Sequence, residues 1–107
     1  MPEFGREDAI ALYNVDRWSG GYFTINKKGN VAVLPNGSND QKIDLMEIVA
    51  EARERKLEFP LTVRFHDLLR DRVETINTAF ASAIKEMGYR NHYRGVFPIK
   101  VNQLREV

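Results

Sequence analysis

The stretch "GVFPIKVNQ", residues 95–103, sets four apolar residues (Val96, Phe97, Pro98 and Ile99) directly before Lys100. A continuous apolar run suits a strand covered on both faces, as in a parallel sheet. The C-terminal ends of such strands are where barrel enzymes gather side chains for chemistry. Burial there disfavours the ammonium form of any amine, and a neutral amine attacks a carbonyl to give a Schiff base, with a substrate or with pyridoxal phosphate. The competing reading is a lysine that closes the strand and reaches back to solvent along its aliphatic stem. Pro98 has no N–H to donate. It either marks a break in pairing that aims the lysine inward or ends the pairing early, and both readings stay open.

Other residues offer less. "RNHYRG" brings Arg90, His92, Tyr93 and Arg94 together beside Tyr89, superficially a surface on which bases could stack. A six-residue connection between helix and strand is more simply solvated. His66 precedes Asp67 at the start of a helical pattern, where a cap or near-cap role outweighs a pH-sensing one. Trp18, Tyr22 and Phe23 form an aromatic group that packing alone explains. No G-x-G-x-x-G or G-x-x-x-x-G-K-[ST] cradle is present, and Ser19, Ser38 and Ser82 stand in no nucleophile-elbow pattern.

The elements that must position Lys100 follow from periodicity. Strand-like alternation at Leu61, Val63 and Phe65 follows Pro60, and predicts a short strand or extended crossing over 61–65. Leu69, Val73, Ile76, Phe80, Ala83, Ile84 and Met87 keep steps of three and four, which predicts a long helix over 67–87 closed by Gly88 at the position after the cap. With the run at 96–99, the last third has the form of a β-α-β crossover. Upstream, "EDAIALYNVDRWSG" predicts a short amphipathic turn or helix. "GGYFTINKKGNVAVLP" predicts a β-hairpin between 21 and 34, turning at "NKKGN". "PNGSNDQ" is a loop, and Asp44 with Glu47 three places on predicts a capped helix over 45–56.

Composition narrows the function classes. With 107 residues, 43% hydrophobic and 29% charged, the chain has room for one modest core. Cysteine is absent and only two histidines are present, so thiolate chemistry is excluded from these residues and a metal site has few ligands to draw on. Residues 1–60 carry 8 basic and 10 acidic side chains, and residues 61–107 carry 8 and 5, which is no basic stripe for nucleic acid. No apolar run approaches the roughly 20 residues of a membrane helix. The opening is too acidic for a signal peptide, so a cytoplasmic location is expected.

In order and spacing, "WSGGYFTINKKGNVAVLP" from Trp18, "IDLMEIVAEARERKLEFPLTVRFHDLLRDRVETINTAFASAI" from Ile43 and "YRGVFPIKVNQLREV" from Tyr93 resemble the N-terminal part of the biosynthetic arginine decarboxylases. "PIKVNQ" is specific to that family, whereas strand, lysine and asparagine alone are shared more loosely with ornithine and diaminopimelate decarboxylases. The resemblance implies a fold-type III, alanine-racemase-like enzyme dependent on pyridoxal 5'-phosphate. It implies an α/β chain in which an N-terminal β-hairpin and helix, residues 1–60, contribute to a β-domain. Residues 61–107 would then open an incomplete (β/α)8 barrel. Lys100 would be both the catalytic and the cofactor-binding residue, through a Schiff base at the end of the first barrel strand. L-arginine as substrate, agmatine and CO2 as products, a role in polyamine synthesis, a homo-oligomer and a magnesium requirement are implied for the whole enzyme. Groups holding the cofactor phosphate, the pyridine nitrogen and the substrate guanidinium would lie downstream, so these residues alone are expected to be inactive. A stand-alone interaction module, or a decarboxylase for another basic amino acid, are the alternatives.

Overall fold

The computed structural model describes residues 2–38 and 41–107. Asn39 and Asp40, within the loop expected over 35–41, lie outside the described residues. The chain divides into two units, Met1–Asp71 and Arg72–Val107.

The first unit is built on the expected hairpin. β1 (Phe23–Ile25) and β2 (Val31–Val33) pair antiparallel, with Phe23 opposite Val33 and Ile25 opposite Val31. Their connection is a tight turn in which Gly29 N–H donates to Asn26 O at 3.0 Å. Gly29 then adopts φ +81°, a left-handed conformation that glycine enters without a Cβ penalty. Asn26 Oδ1 reinforces the turn by accepting from the N–H groups of Lys28 and Asn30, each at 3.0 Å. A two-residue strand that sequence reading missed, β3 (Ile43–Asp44), pairs with the far side of β2 to complete a three-stranded antiparallel sheet in the order β1-β2-β3. Two residues are too few for an alternation signal, so the pattern of 45–56 masked it.

The expected N-terminal helix forms as two short ones, α1 (Arg6–Leu12) and α2 (Val15–Ser19), joined through Asn14 at φ +54°. They cover β1: Ile10, Val15 and Ile25 form a buried cluster with Ala9 and Phe23 packed against it. They also close the outer edge of the sheet. Because Tyr22 O accepts from Leu34 N–H across the hairpin, the carbonyls of Phe23 and Ile25 point away from β2. Ser19 Oγ donates to the first at 3.2 Å and Arg6 Nε to the second. An exposed edge is a template for unwanted strand pairing, and here its acceptors are already taken by side chains.

α3 (Leu45–Glu54) follows β3 directly, its N-cap Asp44 accepting from Met46 N–H at 2.8 Å as the sequence predicts. It ends in a Schellman arrangement, with Leu57 N–H to Ala52 O at 2.9 Å and Lys56 N–H to Arg53 O at 3.0 Å. Lys56 occupies the left-handed position usually given to glycine, at φ +57°. α3 lies against β2 and β3 and buries Ala52, while Ala32 and Val33 in the central strand are fully enclosed.

α4 (His66–Met87) is the long helix expected from 67 to 87. The crossover around it is a correction. Among the described residues, neither 61–65 nor 95–99 pairs in a sheet. A strand's hydrogen bonds are made by its neighbours, and the parallel partners these two segments call for are not among β1 to β3. The coarse α/β class holds, with an antiparallel sheet rather than a parallel one.

Candidate functional site

In the second unit, the chain reaches Lys100 through three local devices. α4 terminates at Gly88, φ +63°, where Gly88 N–H donates to Lys85 O at 3.4 Å and Tyr89 N–H to Ile84 O at 3.0 Å. This is the glycine stop the sequence predicts. Tyr93 then folds back so that its ring stacks on Phe80, centroids 4.0 Å apart and planes within 2°. Gly95 passes close beneath it: a Cβ at this glycine would stand 3.0 Å from Tyr93 Oη, tighter than ordinary contact. Residues 95–97 belong to no helix or strand, and Val101 N–H donates to Pro98 O at 3.1 Å, closing a turn with Ile99 and Lys100 at its two central positions. Leu104 N–H to Asn102 Oδ1 at 3.2 Å forms a second turn just beyond.

Lys100 is therefore exposed on a turn, not at the end of a paired strand, and Pro98 opens the turn instead of interrupting a ladder. No hydrogen bond or ion pair engages the Lys100 ammonium among the described residues. The side chain is a sterically free primary amine, and what the chain supplies at this point is one nucleophile on a defined turn.

The other weighed residues are used structurally. Tyr93 is occupied by Phe80, which removes it from any stacking surface. His92 N–H donates to Asn91 Oδ1 at 2.9 Å. His66 begins α4 and is exposed. Trp18 meets Phe23 with centroids 5.4 Å apart and donates from Nε1 to Tyr13 O at 3.1 Å, while the Tyr22 hydroxyl donates to Asp71 Oδ2. No buried side-chain nitrogen or oxygen among the described residues lacks a partner, and no group of three or more His, Asp or Glu side chains converges there.

Concavities among the described residues of the first unit include two that do not take in Lys100. One, of about 330 Å³, runs between α3 and the segment after it and is lined by Ile48, Ala52, Leu57, Leu61 and Val63, with Arg55 and Arg64 among its polar groups. The other, of about 350 Å³, lies between Phe4, Arg6, Ile25 and the turn lysines Lys27 and Lys28. Sequence reading named Asp44 as a cap but missed the polar centre that forms around it. Its Oδ2 accepts from Asn26 Nδ2 at 2.8 Å and Asn30 Nδ2 at 3.0 Å while its Oδ1 caps α3. The signal was available in "NKKGN", where two asparagines flank the turn, but only strand pairing brings them to residue 44. The Asn30 amide does most to hold the Asp44 carboxyl below its ordinary 3.8, partial burial opposes it, and Asn26, Met46 N–H and the Lys28 charge add to the lowering. Both carboxylate oxygens of Asp44 have donors, so it reads as a structural knot.

No protein-family model matches the chain. Among curated proteins, it is 46% identical over 101 residues to the biosynthetic arginine decarboxylase of Prochlorococcus marinus subsp. pastoris. It is 48% identical over 101 residues to the protein of that name from Parasynechococcus marenigrum. In both cases the match takes in 94% of this chain and 16% of the relative. The resemblance stated from the motifs is thus a similarity along nearly the whole chain, and the chain spans about a sixth of the length of the relatives it matches.

Proposed function

We propose that this chain is the N-terminal part of a biosynthetic arginine decarboxylase. The enzyme would convert L-arginine to agmatine and CO2 in polyamine synthesis, and Lys100 would be its cofactor-bearing residue. The observation that carries the reading is the similarity at 46–48% identity over 94% of the chain to proteins of that name. On this reading residues 1–60 belong to a β-domain and residues 61–107 open a (β/α)8 barrel in a cytoplasmic homo-oligomer. The segments 61–65 and 95–99 fit the reading, because among the described residues neither has the strand neighbours that a closed barrel would supply.

Pyridoxal phosphate fits the residues present at one point. Lys100 offers an exposed amine on a turn, free of any competing ion pair, and would hold the group covalently. When bound, the group supplies the electron sink for the carbanion left by loss of CO2. What this chain itself does is position the amine. The Gly88 stop ends α4, the Phe80–Tyr93 stack turns the chain back, and the 98–101 turn presents Lys100 at its apex. Among the described residues no three His, Asp or Glu side chains converge where a metal ion could be held. Without the groups that would hold phosphate, pyridine nitrogen and substrate, the 107 residues alone release no CO2 from arginine.

The test is a chimera in which this chain replaces the matched stretch of the P. marinus decarboxylase. With pyridoxal phosphate it is expected to release CO2 from L-arginine, and borohydride reduction should label the peptide containing Lys100. Label on another lysine removes Lys100 from its role. Preference for ornithine or diaminopimelate over arginine moves the enzyme to a neighbouring substrate class.

A further inference from the structure

The loop that leaves β2 holds a pair of residues found nowhere else in the chain. Asn36 is followed by Gly37, whereas every other asparagine is followed by a residue with a side chain. An asparagine amide carbon, Cγ, lies within reach of the next backbone nitrogen, and crowding at the residue that supplies this nitrogen opposes closure of the five-membered ring. Glycine supplies it without a Cβ.

The fold presents this pair to solvent while fixing the residues before it. Leu34 and Pro35 are buried, and Leu34 N–H is tied to Tyr22 O at 2.8 Å across the hairpin. Asn36 and Gly37 then emerge exposed. Asn36 Oδ1 accepts from Ser38 N–H at 3.2 Å, which folds the side-chain amide back along the backbone that follows it. Space around Gly37 is open: a Cβ built there would come no closer than 4.0 Å to Gly21 O. One bond opposes the reaction, Gly37 N–H to Leu34 O at 3.0 Å. A turn bond at an exposed position opens readily, because water satisfies both partners as it breaks. Elsewhere the asparagine amides are better held. Asn26 and Asn30 donate from Nδ2 to Asp44 Oδ2, and Asn77 donates from Nδ2 to Val73 O at 2.7 Å within α4.

We infer that Asn36 is a site of spontaneous deamidation, at which the chain converts itself over time to a form with an added carboxylate and an altered backbone. Gly37 N forms a bond to Asn36 Cγ, the Cγ–Nδ2 bond breaks, and the proton from Gly37 N leaves with the departing ammonia. Water then opens the cyclic imide. Cleavage between Cγ and Gly37 N leaves aspartate, and cleavage between the backbone carbonyl carbon and Gly37 N leaves isoaspartate. The balance is one water consumed and one ammonia released. In the isoaspartyl form the main chain runs through Cβ and Cγ and is longer by one carbon, so the Gly37 bond to Leu34 O falls out of register and the exit of β2 loosens. The site lies in the first unit and stands apart from the reading of Lys100.

The experiment ages the purified 107-residue chain at neutral and at mildly alkaline pH, then localises modification by proteolysis and fragment mass spectrometry. The Asn36 peptide is expected to gain the mass difference between water and ammonia and to separate into aspartyl and isoaspartyl forms. Its rate should exceed those at Asn26, Asn30 and Asn77 by on the order of tenfold or more, and should rise with pH as the attacking nitrogen loses its proton. Asn36→Gln, which must close a larger ring, and Gly37→Ala, which sets a Cβ beside the attacking nitrogen, should each slow the reaction by about tenfold or more. Gly37 sits at φ +71°, where alanine is strained, so circular dichroism accompanies that variant, and Asn36→Gln keeps the glycine and carries the test if the alanine variant unfolds. An aged sample is expected to melt below Asn36→Asp, which has the carboxylate without the lengthened backbone. The inference fails if Asn36 reacts in urea but stays intact in the folded chain, because the bond to Leu34 O would then be protecting it. It fails equally if another asparagine reacts first or if Asn36→Gln reacts at the wild-type rate. Equal melting of the aged sample and Asn36→Asp overturns the loosening at the exit of β2.

Discussion

Asn30 Nδ2 donates to Asp44 Oδ2 at 3.0 Å, joining a hairpin turn to the residue that caps α3, 14 positions along the chain. Asn26 makes the same connection at 2.8 Å, so one carboxylate holds the turn, the third strand and the helix start together. Asn30→Ala removes one donor from this centre and is expected to destabilise the first unit by about 1 kcal/mol. Asn26→Ala should cost more than Asn30→Ala, since its side chain also accepts two backbone N–H groups. Thermal melts followed by circular dichroism check the order. Equal melting points for wild type and Asn26→Ala would remove the centre from the stability of the fold.

The same carboxylate makes stability depend on pH. Asp44 has its folded-state value lowered, first by the Asn30 hydrogen bond. The folded state therefore binds its proton less readily than the unfolded chain, and the stabilisation is fully present above the ordinary value of 3.8. It is lost as pH falls below that value and through the lowered folded one. Denaturant midpoints measured downward from pH 5 should decline for wild type more steeply than for Asp44→Asn, whose amide does not titrate in this range. Parallel declines would assign the acid sensitivity to other groups.

Lys56 holds the left-handed position of the α3 stop at φ +57°. A side chain with a Cβ is disfavoured there, so Lys56→Gly is expected to stabilise the first unit by about 0.5–1 kcal/mol despite the added freedom of the unfolded chain. A urea midpoint that falls instead would show that the lysine stem contributes packing that outweighs the backbone term.

Val33 is wholly enclosed at the centre of the sheet. Val33→Ala removes two methyl groups from a site with strand neighbours on both sides and is expected to cost about 2 kcal/mol. Val31→Ala in the same strand, at a position 38% exposed, should cost well under half of that. A comparable loss at both positions would contradict the enclosure of Val33 at the centre of the sheet.

Lys100→Ala in the active chimera is expected to lower turnover by a factor of at least 10², the lower end of what a directly participating proton-transfer group contributes. The first unit's melting point should not move, because Lys100 lies on an exposed turn outside it. Retained turnover would dismiss Lys100 from the chemistry.

Local chemistry was legible wherever neighbours in sequence make the structure. Asp44 before an i, i+3, i+4 pattern announced α3, "NKKGN" announced the hairpin turn, and Gly88 announced the end of α4, because caps and turns satisfy backbone groups a few residues away. β3 was not legible: its existence depends on β2 lying alongside, which no local pattern encodes. The strand expected at 96–99, and the strand alternative of the short strand or extended crossing expected over 61–65, did not form for the converse reason, since an apolar run records the wish for a covered strand without providing the strands that cover it.

By itself the sequence determined α3 and its cap, α4 and its glycine stop, the hairpin and its turn, the apolar stripe of α4, and the motif around Lys100 that carries the resemblance. Only the tertiary structure decided that Asp44 gathers Asn26 and Asn30, and that Arg6 and Ser19 seal the edge of β1. Only the fold, likewise, set Lys100 on an exposed turn. The physical division is between interactions closed within a few residues of backbone and those that wait for a partner from elsewhere in the chain. Among the described residues, the segments 61–65 and 96–99 meet no pairing strand.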